Sequence, residues 1–238
     1  MLVIRIPLAV LFFLLIAAVG TLACLARPFN PDNTRLFANI YSKYGLKILG
    51  IKLKIHNFTL KRSHTAVYIA NHQDNLDLFV CGSVVPYRTV TIGKKSLKYL
   101  PLFGQLYWLA GNIFIDRKNS QKSAKTLDSS TIALQKNNTS IWVFAEGTRN
   151  RGKNILPFKS GAFRMAIEAQ VPIIPICISS YKENLKLNKF VSGHASIREL
   201  EPIPTQGLTL DDTNELREKC WQLMKEEIEK LDQLTYAK

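Results

Sequence analysis

The sequence predicts an α/β fold: a mixed, mostly parallel sheet flanked by helices and preceded by a two-helix membrane anchor, one helix hydrophobic and one amphipathic. Three observations predict it. From residue 51 onward, apolar runs too short for helices alternate with helical stretches, the order expected when helical connections cross the faces of a sheet. The N-terminus holds a long uncharged apolar run. The polar segments able to carry chemistry directly follow apolar strands, where sites in open α/β sheets gather. With 238 residues, the expected division is an anchor over 1–50 and one folded domain over 51–238, because the remainder is enough for a single core.

The anchor comes first. Ile6 to Ala26 carries no charge and includes Leu11-Phe-Phe-Leu-Leu-Ile16; at ~1.5 Å per residue it makes about 31 Å of helix, enough to cross a bilayer core. A cleaved signal peptide would use Arg5 and the small residues near Ala23, but the run exceeds the usual ~7–15-residue apolar region. Positive charge then accumulates at Arg27, Arg35, Lys43, Lys47, Lys52, Lys54, Lys61 and Arg62 against the lone Arg5 before the run, which places the body on the cytoplasmic side by the positive-inside rule. After Asn30-Pro31 apolar residues recur at Leu36, Ile40 and Tyr44 and at Phe37, Tyr41 and Ile48. That is an amphipathic helix, suited either to the headgroup layer or to packing on the body.

In the body, Ile51-Lys-Leu-Lys-Ile55 alternates as a half-exposed strand does. Ala66–Ala70, Thr89–Ile92, Asn112–Ile115, Ser140–Phe144 and Pro172–Ile178 read as buried strands. Helices are expected near 75 to 84, 120 to 136 and 160 to 170, and a charged amphipathic one closes the chain over Asn214 to Leu234. Pro172 and Pro175 assign the last strand to a start, a bulge or an edge, because proline has no N–H for the ladder.

Composition narrows the partners. Lys and Arg exceed Asp and Glu by 32 to 18, giving +14, a surface that attracts phosphate groups, acidic lipids, acidic proteins or nucleic acid, and charge alone does not choose among them. Cys24, Cys81, Cys177 and Cys220 are scattered, without metal-ligand spacing, so no metal is expected. No Gly-x-Ser-x-Gly elbow, P-loop or His-Glu-x-x-His occurs, which removes serine hydrolases, P-loop nucleotidases and zincins.

Three segments carry chemistry. Asn71-His-Gln-Asp-Asn-Leu-Asp77 follows a strand; a carboxylate on one ring N–H of His72 would fix the tautomer and leave the other nitrogen free to take a proton. The spacing also fits a loop histidine capping a helix, and Asp74 competes with Asp77 as partner or as N-cap. The second segment is Glu146-Gly-Thr-Arg149, again after a strand. Gly147 permits a tight turn and Arg149 offers a fork of donors for phosphate, unless Glu146 and Arg149 simply pair. The third set is Lys94, Arg117 and Lys159; Arg117 follows a strand and can join Arg149 at one rim, while the lysines alone fit a solvated surface.

These segments together resemble the 1-acyl-sn-glycerol-3-phosphate acyltransferase family, above all its bacterial membrane enzymes. Four blocks stand in the family's order: Asn71-His72 with Asp77, Gly111-Asn-Ile-Phe-Ile-Asp-Arg117, Glu146-Gly-Thr-Arg149 and Val171-Pro-Ile-Ile-Pro-Ile-Cys177. The likeness runs from about residue 66 to about residue 180. One departure is Ala145, where the family often has proline before Glu-Gly-Thr-Arg. The resemblance implies that His72 is the base and Asp77 its orienting partner, and that Arg149 and Arg117 bind phosphate with help from Lys94. Glu146, Gly147 and Thr148 would shape that phosphate site. It implies a thioester donor, acyl carrier protein or coenzyme A, a lysophosphatidic acid acceptor in a phospholipid membrane, and no cofactor. A sister enzyme acting on glycerol 3-phosphate shares the motifs. A nucleic-acid or acidic-lipid binding module would account for the charge but not for four ordered blocks, so no nucleic-acid partner is expected.

Overall fold

The computed structural model of the chain describes residues 1–59, 64–116, 126–127, 130–132, 134–135 and 138–236. Two helices come first, α1 (Leu2–Ala26) and α2 (Asp32–Leu49). The strands are β1 (Ile51–His56), β2 (Val67–Ala70), β3 (Thr89–Lys94), β4 (Ile113–Ile115), β5 (Ser140–Phe144), β6 (Ile173–Ile178) and β7 (Gly193–Glu199). Between and after them lie α3 (Asp77–Cys81), α4 (Phe103–Leu109), α5 (Gly161–Ala169) and α6 (Thr213–Tyr236). The helix expected near 120 to 136 lies largely outside the described residues; 126–127, 130–132 and 134–135 are helical.

The strands form one seven-stranded sheet in the order β1-β7-β6-β2-β5-β3-β4. From β6 to β4 all neighbours are parallel. β7 is antiparallel to β6 and β1 is parallel to β7, so this pair runs the other way. The sheet is therefore mixed and mostly parallel, as expected. The C-terminal ends of β2, β3, β4, β5 and β6 share one rim, and β2 with β5 occupy its middle.

Successive side chains on a strand point to opposite faces, and the sheet uses both faces for core. Tyr68, Trp142, Ile174, Ile176 and Ile197 pack with α1 to α4. Val67, Ile69, Ile141, Ile173 and Cys177 pack with α5 and α6. Burying each large apolar side chain contributes about 1.5–3 kcal/mol, which is why the central strands read as unbroken apolar runs rather than alternating ones.

Two elements were not anticipated. β7 escapes because Gly193-His-Ala-Ser-Ile-Arg-Glu199 lacks an apolar run, and its buried positions include Ser196 and Glu199. α4 is likewise too short to show a period. Of the positions expected for the prolines, start, bulge or edge, the edge is not used: β6 begins just after Pro172 and lies between β7 and β2. The ladder to β2 is spared because alternate residues face it. Ile173 bonds the other way, to Ile203, and the β7 ladder begins only at Ile176. Pro175 thus falls where that side is interrupted, the bulge-like position allowed to proline.

Of the two N-terminal helices only α1 is long and apolar enough to cross a membrane, with a mean hydropathy of 2.8. α2 is amphipathic and buries Phe37, Tyr41 and Leu49 against the body. α1 also starts earlier than its uncharged run. Arg5 is a helix residue, buried, with its guanidinium donating to Leu187 O (3.1 Å), Phe190 O (2.5 Å), Ser192 Oγ (2.7 Å) and Lys189 O. Near its other end Thr21 Oγ1 donates to Leu102 O at 3.2 Å. Small residues Ala9, Ala17 and Gly20 line the packed side, while Val3, Leu11, Leu15, Val19 and Leu22 are exposed.

Candidate active site

The central strands place the polar segments. β2 and β5 are in register at Ala70 and Phe144, and the chain leaves both at the shared rim. Their exits stay paired: Ala145 N donates to Ala70 O (3.1 Å), Asn150 N to His72 O (2.8 Å) and Arg151 N to Gln73 O (3.1 Å). On the other side the Asn71 side chain substitutes for a strand backbone, donating to Ile178 O and accepting from Ile178 N, both at 2.9 Å. The loop that carries His72 is clamped between two strand exits before any substrate arrives.

His72 Nδ1 lies 2.5 Å from Asp77 Oδ2. Asp77 opens α3, so the loop turns back and brings the carboxylate under the imidazole. The same oxygen accepts from Gln73 N (2.7 Å) and Asp74 N (3.1 Å), and Oδ1 accepts from Tyr181 Oη (2.5 Å). Asp77 is 1% exposed and His72 16%, so the carboxylate is sealed while an edge of the ring remains open. The ring stacks on Phe144, centroids 4.1 Å apart and planes 14° off parallel. An acceptor at Nδ1 makes that nitrogen the donor and leaves Nε2 as the basic one; among the described residues Nε2 has no hydrogen-bond partner. Asp74 takes the lesser part, accepting from Leu76 N (3.2 Å) and pairing with Lys182 (3.1 Å).

The second segment is built around Glu146. Its Oε1 accepts from His72 N (2.6 Å) and Asn150 Nδ2 (3.2 Å), its Oε2 from Leu156 N (2.8 Å). Burial pushes this carboxyl up from its ordinary range, against the hydrogen bonds from His72, Leu156 and Asn150. Buried and occupied in this way, Glu146 braces the turn, and no ion pair joins it to Arg149 among the described residues. Gly147 has φ +68°, and a Cβ there would lie 3.0 Å from Lys159 Cγ, so the turn needs glycine on both counts.

Thr148 and Arg149 are exposed at the tip of that turn. Lys94 is exposed at the end of β3, level with Ile115 at the end of β4. Next to it Lys95 pairs with Asp116 at 3.3 Å. The other cation expected here, Arg117, follows Asp116 and lies outside the described residues. The sequence reading missed the parts of Gln73 and Tyr181. Gln73 Nε2 donates to Ser179 O (2.8 Å) and its Oε1 accepts from Lys182 N (3.3 Å), which ties the loop to the exit of β6. Only the strand order brings these together, and no spacing within 71–77 reports it.

An oriented imidazole with an open edge, at the sheet rim where the Glu146–Arg149 turn also leaves its strand, is an arrangement able to activate a substrate hydroxyl. The Acyltransferase family model matches residues 52–179, more than half of the chain and including both motifs. An Escherichia coli (strain K12) protein named 1-acyl-sn-glycerol-3-phosphate acyltransferase is 39% identical over 229 residues, 96% of this chain and 93% of that protein. Its namesake in Haemophilus influenzae is 41% identical over 233 residues, 96% of this chain and 95% of that one. The human protein named 1-acyl-sn-glycerol-3-phosphate acyltransferase alpha is 37% identical over 215 residues, 87% of this chain and 74% of that one. The chain belongs to the 1-acyl-sn-glycerol-3-phosphate acyltransferase family. The crystal structure of the 1-acyl-sn-glycerophosphate (LPA) acyltransferase from Thermotoga maritima superposes with a TM-score of 0.74 at 21% identity, covering 97% of this chain and 98% of that one, so the fold is shared end to end.

Proposed function

We propose that this chain transfers a fatty acyl group from a thioester of acyl carrier protein or coenzyme A to the sn-2 hydroxyl of 1-acyl-sn-glycerol 3-phosphate, forming phosphatidic acid. The observation that carries the reading is the 2.5 Å contact of His72 Nδ1 with a sealed Asp77, at a rim where the opposite ring nitrogen has no hydrogen-bond partner among the described residues. Nε2 takes the proton of the acceptor hydroxyl as its oxygen attacks the thioester carbonyl. The new C–O bond forms, and the resulting oxyanion collapses with cleavage of C–S. The thiolate leaves and recovers the proton from the imidazolium. No acyl-enzyme is formed, because the acceptor hydroxyl stands where a hydrolase has its serine.

Arg149 grips the acceptor phosphate, Arg117 and Lys94 contribute further positive charge to it, and Gly147 and Thr148 form the turn that presents Arg149. Glu146 holds that turn to the backbone of His72, so phosphate grip and base share one frame. Holding both substrates in such a frame supplies roughly 7–11 kcal/mol in favourable cases.

Residues 1–50 form the anchor and 51–238 the catalytic domain, facing the cytoplasm at the bacterial inner membrane. α1 engages the bilayer with its exposed apolar side while α2 packs between α1 and the body. Fastened to the body through Arg5 at one end and Thr21 near the other, α1 lies along the protein in one leaflet. Tags at the two termini should then be accessible from the same side of sealed vesicles, and opposite sides would mean that α1 spans.

The experiment for the activity is incubation of purified protein with lysophosphatidic acid and each donor, with the lipid product identified. Phosphatidic acid formed together with acceptor-dependent thiol release is the expected result. Product only from glycerol 3-phosphate would move the chain to the sister activity.

A further inference from the structure

The carboxylate that orients His72 is itself oriented from elsewhere in the chain. Tyr181 follows the last core strand, β6, and is fully buried at 0% exposure. Its hydroxyl donates to Asp77 Oδ1 at 2.5 Å, across 104 residues of sequence. Among the described residues, every other hydrogen bond to Asp77's carboxylate comes from its own loop and falls on Oδ2: the His72 ring and the N–H groups of Gln73 and Asp74. The two carboxylate oxygens are thus divided, one for the local loop and one for a phenol held by a different strand.

The segment bearing that phenol is fastened on both sides. Gln73 accepts from Lys182 N and donates to Ser179 O, bracketing Tyr181. Ser180 N donates to Asp232 Oδ1 of α6 at 2.6 Å. A buried tyrosine needs a partner for its hydroxyl, but packing alone does not require that partner to be the carboxylate of a base.

We infer that Tyr181 is a positioning residue for acyl transfer: by committing Asp77 Oδ1 to its hydroxyl, it fixes the rotation of the carboxylate and reserves Oδ2 for the His72 ring. The inference rests on the reading of His72 as the base. Burial, then the charge of Asp77 and the hydrogen bond to it, push the Tyr181 phenol well above its ordinary range, so it remains a donor at every working pH. A phenol that shares the carboxylate's charge also weakens the hold of Asp77 on an imidazolium proton. The other charged or titratable groups around the pair are Glu146 at the His72 N–H, Asp74 with its Lys182 partner, and Cys81 on α3, whose thiol burial pushes up.

Tyr181→Phe keeps the ring and removes only the donor. In full-length protein assayed with lysophosphatidic acid and acyl donor, kcat should fall about tenfold, the scale of a hydrogen bond to a charged group, with acceptor KM unchanged. The acidic limb of kcat/KM against pH should move to higher pH, since the unshared carboxylate holds the imidazolium proton more tightly. A merely structural role would leave that limb in place. An acidic limb that stays where it is, or moves down, overturns the inference whatever happens to the rate. His72→Ala, measured in parallel, separates the two layers: retained turnover there removes the base itself, whereas an unmoved limb in Tyr181→Phe with an inactive His72→Ala removes only the positioning role.

Discussion

The two halves of the site are held in opposite ways. The His72–Asp77 pair is enclosed, with Asp77 at 1% exposure and hydrogen bonds to both carboxylate oxygens. The cations of the neighbouring turn and strand, Arg149 and Lys94, are exposed and have no ion pair among the described residues. A base must be aimed before the reaction, because a wrong tautomer or a rotated ring costs rate directly. A phosphate grip can be ordered by the ligand itself, and long solvated side chains meet it at little cost to the free protein. On the proposed reading, fixed geometry is concentrated at the base, and the solvated side chains at the phosphate.

That contrast predicts a ranking. Apart from loss of the imidazole, the largest effect belongs to Asp77→Asn, which presents an amide to Nδ1 and lets the wrong tautomer form; kcat should fall on the order of 10²–10⁴-fold with acceptor KM little changed. A kcat within a few-fold of normal would show that His72 needs no oriented partner. Tyr181→Phe comes next.

Arg149→Ala should act on the other half, raising acceptor KM about tenfold while kcat stays close to normal. An unchanged KM would assign the arginine another task. Lys94→Ala should do the same to a smaller extent, about two- to five-fold, and an effect exceeding that of Arg149→Ala would reverse their order.

Glu146 joins the halves, and its prediction concerns stability. Its native carboxyl is pushed up by burial, so its stabilising contribution is complete below the ordinary carboxylate range and is lost as pH rises through the raised native value. Glu146→Gln does not titrate and places an amide against Leu156 N–H, a mismatch of about 1–3 kcal/mol. Thermal unfolding should show the variant less stable at low pH, with the gap narrowing as pH rises over that window. A gap that widens would contradict the sign.

Much of this was legible in the sequence where the signal is local. The buried strands announced themselves as apolar runs such as Ile141–Phe144, and His72 with Asp77 falls inside a single loop between a strand and a helix. Features that depend on strand order were hidden. Tyr181 meets Asp77 only because β6 lies beside β2, β7 escaped notice because polar residues hold several of its buried positions, and the choice among start, bulge and edge for Pro175 is set by a neighbour elsewhere in the chain. Arg5 read as a flanking charge, yet its partners are backbone carbonyls of 187–190 and the Ser192 hydroxyl, which no composition rule reports. The residues proposed for the phosphate were chosen by type alone, since chemistry and not contact marks an exposed arginine.

The central claim, that His72 draws the proton from a bound acceptor, is tested most directly by one paired measurement on His72→Ala: phosphatidic acid formation and lysophosphatidic acid binding in the same preparation. Product formation should be lost while the lysolipid still binds with near-normal affinity. Turnover at the normal rate in that variant would contradict the account.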